Sequence, residues 1–337
     1  MPESPEIFIK HRFTADRGQE PFRIDRFLTD RVENVTRNKV QQAIEEGKVR
    51  VNGVAVKSNY KVKPGDEIEV VSFEEPRSLE VLPEDIPLDI VYEDEDLILL
   101  NKQSGFVVHP GHGNYTGTLV NALAHHMGAT PKSGNIRPWL VHRIDKDTTG
   151  LMVVAKNEQA MNKLAAQFKD HSIERTYKAL VWGNFEESKG TVTGHIGRSS
   201  RDRKIFMVYP EGDHGKHAVT HYEVLENFNY VSLVACKLET GRTHQIRVHM
   251  KHIGHTLFND AFYGGDKILK GVVFSKYKQF IENCFELLPR QALHAVSLGF
   301  VHPSTGEWIQ FESELPPDFS AVLERWRSVS RAYDFRD

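Results

Sequence analysis

Cysteine is scarce in this chain, and long apolar runs do not occur. Cys236 and Cys284 are the only cysteines among 337 residues, too few for a disulfide framework or a cysteine-based zinc site. No apolar run approaches the roughly 18 residues that a transmembrane helix needs. The first residues are polar and acidic, unlike a secretory signal. We therefore expect a cytoplasmic protein without disulfides, and the length suggests two domains.

Several motifs of common enzyme classes are also missing. The chain has no Walker loop and no G-x-G-x-x-G sequence after a strand, so nucleotide phosphates have no standard motif to bind. The esterase sequence G-x-S-x-G and the zinc-binding sequence H-E-x-x-H are absent as well. We predict that the protein uses neither a metal nor a cofactor.

Charge is distributed unevenly along the chain. Residues 22–65 hold ten Lys or Arg and five Asp or Glu, whereas residues 71–96 hold one basic and ten acidic residues. Mild basicity permits binding to a polyanion without requiring it. The composition predicts three parts: residues 1–72 as an N-terminal strand and small domain with its core at about 22–70, residues 73–85 as an acidic linker, and residues 86–337 as a larger domain.

The small domain has clear local signals. Apolar residues from Ile24 to Val32 recur at helical spacing, and Thr36 begins a second amphipathic helix that stops at Gly47. Asn52-Gly53 lies between two alternating valine runs, which predicts a tight hairpin. This helix–helix–hairpin pattern resembles the S4 domain, an RNA-binding module of the alpha-L type. By that resemblance, four bases face RNA phosphates: Arg37, Lys39, Lys48 and Arg50.

The larger domain mixes helices and strands without a regular βαβ alternation. We predict buried strands at Leu97–Leu100 and Leu151–Ala155, and a helix over Thr243–His252 that ends at Gly254. This pattern indicates an α+β fold with a mixed, mainly antiparallel sheet rather than a doubly wound sheet.

Three segments of the larger domain carry the chemistry. The first, 142–151, reads HRIDKDTTGL and places Asp145 next to an apolar strand, where a rigidly held side chain can reach a ligand. The second, 174–183, places Tyr177 among cations on one strand. The third, 238–249, joins a strand, a glycine turn and a cationic helix start. A carboxylate such as Asp145 can act as a nucleophile or as a base.

Together these segments resemble the RluA family of pseudouridine synthases, over nearly the whole chain. The similarity extends to Asn101-Lys102 with Gly105, to residues 218–222 and to residues 290–295, and it is strongest to the RluD type, which has an N-terminal S4 domain and modifies large-subunit ribosomal RNA. The resemblance implies conversion of uridine to pseudouridine without a cofactor. It also implies ribosomal RNA as partner, through the helix 69 stem-loop, with no membrane association and a monomeric state.

The resemblance further implies roles for individual residues. Asp145 matches the catalytic aspartate, Tyr177 the active-site tyrosine, and Arg247 the basic residue that pairs with the aspartate. Arg143 matches the arginine that enters the RNA where the target base has left. Two further residues of the third segment are expected to contact RNA without an individual role: Arg242 and His244.

Some alternatives remain open at the level of the sequence. Asp145 could attack the ribose, attack the uracil, or take a ribose proton. The same chemistry could act on another ribosomal or transfer RNA site, and a non-catalytic RNA-binding assembly factor is the alternative from another class. One geometric prediction is sharp: the guanidinium of Arg247 forms an ion pair with the carboxylate of Asp145, because a cation within about 4–6 Å favours the ionised form.

Overall fold

The chain divides into two compact units, residues 1–80 and residues 81–337. The computed structural model describes residues 7–18, 20–32, 35–72, 81–111, 114–128, 139–202, 204–271 and 274–332. Most of the predicted linker, residues 73–80, lies outside the described residues. Among the described residues, no helix is both long and apolar enough to cross a membrane.

In the described residues of the smaller unit there are two helices and six short strands. In chain order these are β1 (Phe8–Thr14), β2 (Phe22–Arg23), α1 (Ile24–Arg31), α2 (Arg37–Glu45), β3 (Val49–Val51), β4 (Val54–Ala55), β5 (Lys61–Val62) and β6 (Glu67–Ser72). Four strands form an antiparallel sheet in the order β1-β6-β3-β4, and β2 pairs with β5. The predicted helices and hairpin are confirmed, with Thr36 accepting a hydrogen bond from the backbone of Lys39 and Asn52-Gly53 in the left-handed region.

The larger unit is built on one wide sheet. Its strands are β7 (Ile90–Glu93), β8 (Leu97–Lys102), β9 (Trp139–Leu140), β10 (Thr149–Ala155), β11 (Glu174–Trp182), β12 (Lys189–Arg198), β13 (Phe206–Tyr209), β14 (Lys216–Asn227), β15 (Val231–Leu238), β16 (Leu293–Val301) and β17 (Trp308–Glu312). The main path runs β13-β12-β14-β15-β11-β16-β10-β8-β7, with β9 on β10 and β17 on β16. Only the β10–β16 pair among these is parallel, so the predicted α+β class is confirmed.

Helices cover both faces of this sheet. They are α3 (Leu119–His126), α4 (Glu158–Lys169), α5 (Gln245–His252), α6 (Ser275–Leu287) and α7 (Pro317–Ala332). Alternate residues of β8 and β10 point to opposite faces: Leu97 and Val153 join the core under α4, while Ile98 and Met152 join the core under α3. These two strands are therefore apolar at nearly every position, as expected for strands buried on both sides.

The structure contains elements that the sequence reading did not identify: β12, β13, β16, β17 and α6. Strand β12 was missed because it carries several glycines, which disfavour strands. Gly194 is required where it stands, since a Cβ there would lie 2.4 Å from Cγ1 of Val208 on β13. The predicted helix over Thr243–His252 begins two residues later than expected, at Gln245.

Candidate active site

Asp145 lies in the loop between β9 and β10, and several elements hold this loop in place. The ammonium of Lys102, at the end of β8, donates to the carbonyl of Lys146 at 2.8 Å. Arg290 donates to the carbonyl of Asp147 at 3.2 Å, and its guanidinium is held in turn by Asp318 of α7. The loop is therefore fixed by two side chains from distant parts of the chain, one of which is itself held by α7, and this gives the Asp145 carboxylate a defined position.

The glycine that follows this loop has a steric role. Gly150 adopts a φ of +110° and pairs with Ala295 across the parallel β10–β16 contact. A Cβ at position 150 would lie 2.2 Å from the carbonyl oxygen of Ala295. Glycine therefore permits the two strands to approach each other directly behind the Asp145 loop.

The predicted pair between Arg247 and Asp145 is confirmed. Nη1 of Arg247 donates to Oδ2 of Asp145 at 2.8 Å. The other side of the guanidinium grips Asp260, with Nε at 2.7 Å and Nη2 at 2.8 Å from its two oxygens. Burial alone would lower the pKa of Arg247, but its hydrogen bonds to Asp260 and the charges of Asp260 and Asp145 raise that pKa above its ordinary value. Arg247 is thus a permanent cation whose orientation is set by Asp260.

Asp145 is only partly enclosed by these contacts. Its side chain is 20% exposed, and within the described part of the chain no group hydrogen-bonds its second oxygen, Oδ1. Nε2 of His244 lies 3.8 Å from Oδ2. The carboxylate therefore keeps one oxygen available to a ligand while the other is held by a cation.

His244 has an unusual backbone conformation for its size. It lies in the left-handed region, with a φ of 56°, immediately before α5. Nδ1 of His244 pairs with the hydroxyl of Tyr263 at 2.8 Å, which directs the opposite edge of the ring to Asp145. Burial lowers the pKa of His244, with Asp145 opposing this effect and Arg247 adding to it. A residue in a strained backbone conformation beside a partly exposed carboxylate is typical of functional sites.

Tyr177 lies on β11 and borders the same cleft as Asp145. Its ring packs in a buried cluster with Ile144 and Leu293, and its side chain is 7% exposed. Burial raises the pKa of Tyr177, and the charge of Asp145 raises it further while Arg175 lowers it. The phenol is therefore neutral at physiological pH.

These residues meet in a cleft of about 470 Å³. Among the described residues that line it, Asp145 is the only carboxylate. The basic side chains around it are more numerous: Arg143, Lys169, Arg175, Arg242 and Arg247. A single carboxylate within a strongly cationic cleft suits an anionic ligand that must be brought to that carboxylate.

The RNA-contact residues predicted in the larger unit are brought to this cleft. Arg143 is exposed at its edge, and Arg242 is anchored there because its Nε donates to the carbonyl of His217 at 2.9 Å. His244 lies against Asp145 itself, and its contact with RNA stays a prediction. The placement of His244 follows from its hydrogen bond with the hydroxyl of Tyr263, which no sequence motif indicates.

The four predicted bases of the smaller unit have different surroundings. Arg37 grips the buried carboxylate of Asp25, and Lys48 forms an exposed ion pair with Glu46. Nε of Arg50 is buried without a hydrogen-bond partner. Lys39 is exposed and makes no side-chain contact among the described residues. Among the described residues, Lys39 and Arg50 are therefore the two bases of this set that are not engaged in an ion pair, and Lys39 is the exposed one.

Two residues of the site were not assigned a role from the sequence. Asp260 lies in an irregular segment 13 positions after Arg247, and no local pattern links the two. Lys102 was noted within a motif, but its function in the fold was not foreseen. Its ammonium donates to three carbonyls, and burial lowers its pKa to about 7, with Asp147 and Asp145 opposing that shift. A lysine two positions after the apolar run Leu97–Leu100, at the end of the same strand, is the sequence signal for such a buried cation.

One group of side chains has the composition of a metal site: Asp94, Asp96 and His302. His302 donates through Nε2 to Asp94, and its Nδ1 accepts from the backbone of Ser304 and Thr305. Both ring nitrogens of His302 are thus used in hydrogen bonds. These bonds explain why the three side chains lie together without invoking a metal ion.

Comparison with known proteins identifies the class. Residues 96–252 match the family model described as RNA pseudouridylate synthase, and residues 22–68 match the S4 domain. The human protein RNA Pseudouridylate Synthase Domain Containing 1 has a similar structure, with a TM-score of 0.53 and 26% identity, covering 77% of this chain and 98% of that chain.

Similar curated proteins cover almost the whole chain. An uncharacterised RNA pseudouridine synthase of Chlorobaculum parvum is 51% identical, over 94% of this chain and 98% of that protein. The ribosomal large subunit pseudouridine synthase D of Vibrio parahaemolyticus is 41% identical, over 96% of this chain and 97% of its own. This chain belongs to the RNA pseudouridine synthase family and is an enzyme of that class.

Proposed function

We propose that the enzyme converts uridine to pseudouridine in large-subunit ribosomal RNA, within the helix 69 stem-loop. The observation that carries the proposal is the Asp145 carboxylate, held by Arg247 through one oxygen and open to a cationic cleft through the other. Relatives named ribosomal large subunit pseudouridine synthase D, from Zymomonas mobilis and Vibrio parahaemolyticus, support the choice of RNA.

The proposed chemistry needs a carboxylate at a fixed position. The bond between N1 of uracil and C1′ of the ribose breaks, the base turns, and C5 bonds to C1′; C5 then loses its proton and N1 gains one, so no atoms or electrons are gained or lost overall. In this proposal Asp145 supplies the negative charge, as a nucleophile toward ribose or uracil or as the base that takes a ribose proton. Arg247 keeps the carboxylate oriented, and its permanent charge gives that carboxylate a fixed positive partner.

The proposed role of Tyr177 follows from its place beside Asp145. A uridine paired or stacked in RNA must be turned out of its stack, which costs a few kcal/mol. Stacking on the neutral ring of Tyr177 offsets part of this, and Arg143 at the edge of the cleft fills the space that the base leaves. The proposal assigns the phosphate contacts to the cations around the cleft and to the S4 domain.

The test uses a large-subunit ribosomal RNA transcript without modifications. The full chain is incubated with this transcript, and pseudouridine is mapped by carbodiimide labelling and primer extension. We expect new pseudouridine confined to helix 69, and an isolated helix 69 stem-loop is expected to be a substrate. A transfer RNA transcript is the specificity control.

Each other outcome has a clear meaning. Pseudouridine formed in the ribosomal RNA outside helix 69 would support the proposed reaction but contradict the proposed target. Modification of the transfer RNA alone would favour the other substrate class. Tight RNA binding without any pseudouridine would favour a non-catalytic assembly factor and contradict the proposal. Cytoplasmic location, a monomeric state and independence from metals remain predictions.

A further inference from the structure

A second cleft adjoins the active-site cleft, and the reaction at Asp145 does not use it. This cleft has a volume of about 880 Å³ and lies at the end of β12, along β13 and at the start of β14. It shares Gly241, Arg242 and Thr243 with the active-site cleft. A polymer that enters one cleft can therefore continue into the other.

The charged side chains that line this second cleft, among the described residues, are all basic. Arg198, Lys216 and Arg242 line it, and none of the described residues that line it is an Asp or Glu. Lys216 makes no side-chain hydrogen bond or ion pair within the described residues. Arg242 is fixed between the two clefts by the bond from its Nε to the carbonyl of His217. These cations thus suit an anionic ligand that extends from the active site.

Aromatic rings lie beside these cations. The hydroxyl of Tyr209 donates to the carbonyl of Arg198 at 2.8 Å, which fixes the Tyr209 ring across the β12–β13 hairpin. The ring of Phe206 lies 5.0 Å from the guanidinium of Arg198 and 5.6 Å from the imidazole of His244. Fixed aromatic faces next to cations are the combination that binds single-stranded nucleic acid.

We propose that this second cleft binds a nucleotide that flanks the target uridine. Lys216 and Arg242 hold its phosphate, and its base stacks on Tyr209. The inference rests on the proposed function, because it requires an RNA whose target base occupies the cleft of Asp145. An acidic protein segment would satisfy the cations but would not need the aromatic ring, and the test separates the two.

The test compares variants of the full chain that change one contact each. Lys216→Gln removes the proposed phosphate contact. Lys189→Gln is its matched control, because Lys189 lies at the far end of the same β12–β14 strand pair and is exposed in an ion pair with Glu223. Tyr209→Ala removes the stacking ring, and Tyr209→Phe keeps the ring without the hydroxyl. Thermal unfolding of each variant verifies that it is folded.

Dissociation constants for the large-subunit transcript are measured from low to high salt. We expect Lys216→Gln to reduce the slope of log K against log salt by about 0.7, the effect of one phosphate contact to a single strand, and Lys189→Gln to leave the slope unchanged. Tyr209→Ala is expected to weaken binding about 5- to 100-fold, and Tyr209→Phe less than twofold.

Two results would overturn the inference. One is a wild-type salt slope for Lys216→Gln, and the other is a wild-type affinity for folded Tyr209→Ala. If either occurs while the wild-type enzyme forms pseudouridine in the same transcript, the second cleft is not an RNA site and the proposed function stands. If the wild-type enzyme forms no pseudouridine there, the proposed function fails and the inference fails with it.

Discussion

Two of the aspartates that are paired with arginine, Asp25 in the smaller unit and Asp145 in the larger one, differ in how many of their oxygen acceptor positions remain unused. Asp25 in the smaller unit is fully buried and accepts hydrogen bonds from Arg23, Arg37 and Gln41, so both its oxygens are used. The hydrogen bonds from Arg23, with those from Arg37 and Gln41, hold the pKa of Asp25 well below its ordinary range although burial opposes this.

Asp145 in the larger unit receives a single arginine nitrogen on one oxygen. The saturated carboxylate has no capacity left for a ligand, whereas the unsaturated one has an open oxygen in a cleft. The number of unused acceptor positions therefore separates a structural carboxylate from a candidate catalytic one more clearly than the presence of an ion pair does.

The largest effect is expected from Asp145→Asn. Asparagine keeps the shape but has no charge with which to attack or to take a proton, so turnover should fall by on the order of a thousandfold or more while RNA affinity stays within about tenfold. Single-turnover pseudouridine formation and RNA binding are measured together. Asp147→Asn, two positions along the same loop, is the control and should remain active. Activity of Asp145→Asn within about tenfold of the wild type would contradict its role.

The second-largest loss of turnover is expected from removing Arg247, the ion-pair partner of Asp145. Arg247→Met combined with Asp260→Asn should lower turnover by on the order of a hundredfold, because the carboxylate loses the fixed cation that orients it. Both charges are removed together, since a buried Asp260 without its arginine would destabilise the fold.

The control for this double variant lies on the same helix. Lys251→Met removes a cation that donates to the carbonyl of Tyr263, one turn beyond Arg247, and its turnover should change little. Turnover of the double variant within about threefold of the wild type would mean that a different base serves Asp145.

Asp25→Asn should lower stability without lowering turnover, the opposite of what is expected for Asp145→Asn. The substitution weakens the hydrogen bonds from Arg23 and Arg37, and we expect a loss of about 1 to 3 kcal/mol in the free energy of unfolding of the smaller unit. Turnover of RNA that is already bound should be unchanged. Urea unfolding followed by hydrogen exchange of α1 and α2 gives the first quantity, and single-turnover rates at saturating enzyme give the second. A large loss of single-turnover rate would remove the contrast between the two aspartates.

Acid should destabilise the larger unit through three neutral histidines. Burial lowers the pKa of His142 to about 3 and those of His249 and His294 to about 4. Between about pH 6.5 and pH 4 the unfolded chain takes up protons that the folded chain does not, so stability falls as the pH falls through this range. Each histidine contributes up to about 1.4 kcal/mol per pH unit.

Urea unfolding between pH 7 and pH 5 measures this dependence before most carboxylates titrate. His249→Gln should make the pH dependence shallower by one proton, and His125→Gln, an exposed histidine of α3, is the control. A dependence that is unchanged in His249→Gln would show that this imidazole is protonated in the folded protein.

The sequence predicted those features whose signals are local or carried by long motifs. The helices and hairpin of the smaller unit follow from spacing, a cap and Asn52-Gly53, and the Arg247–Asp145 pair follows from the electrostatic need of a carboxylate together with the family resemblance. The same reasoning missed Asp260 and the hydroxyl of Tyr263, because their roles arise only when an irregular segment folds back onto α5. Helix α6 could have been found, since Tyr277, Ile281 and Cys284 recur at helical spacing and are buried.

The smallest expected effect tests the bases of the smaller unit. Lys39 is exposed without a partner among the described residues, whereas Lys48 already neutralises Glu46. A free ammonium that contacts a phosphate releases counterions, so Lys39→Gln should weaken binding of the large-subunit transcript a few-fold and reduce the salt slope by about 0.7 to 0.9. Lys48→Gln should change the slope less, because its charge is already paired. Equal slopes for both variants and the wild type would mean that neither base contacts this RNA, and the phosphate contacts would then belong to the cations around Asp145.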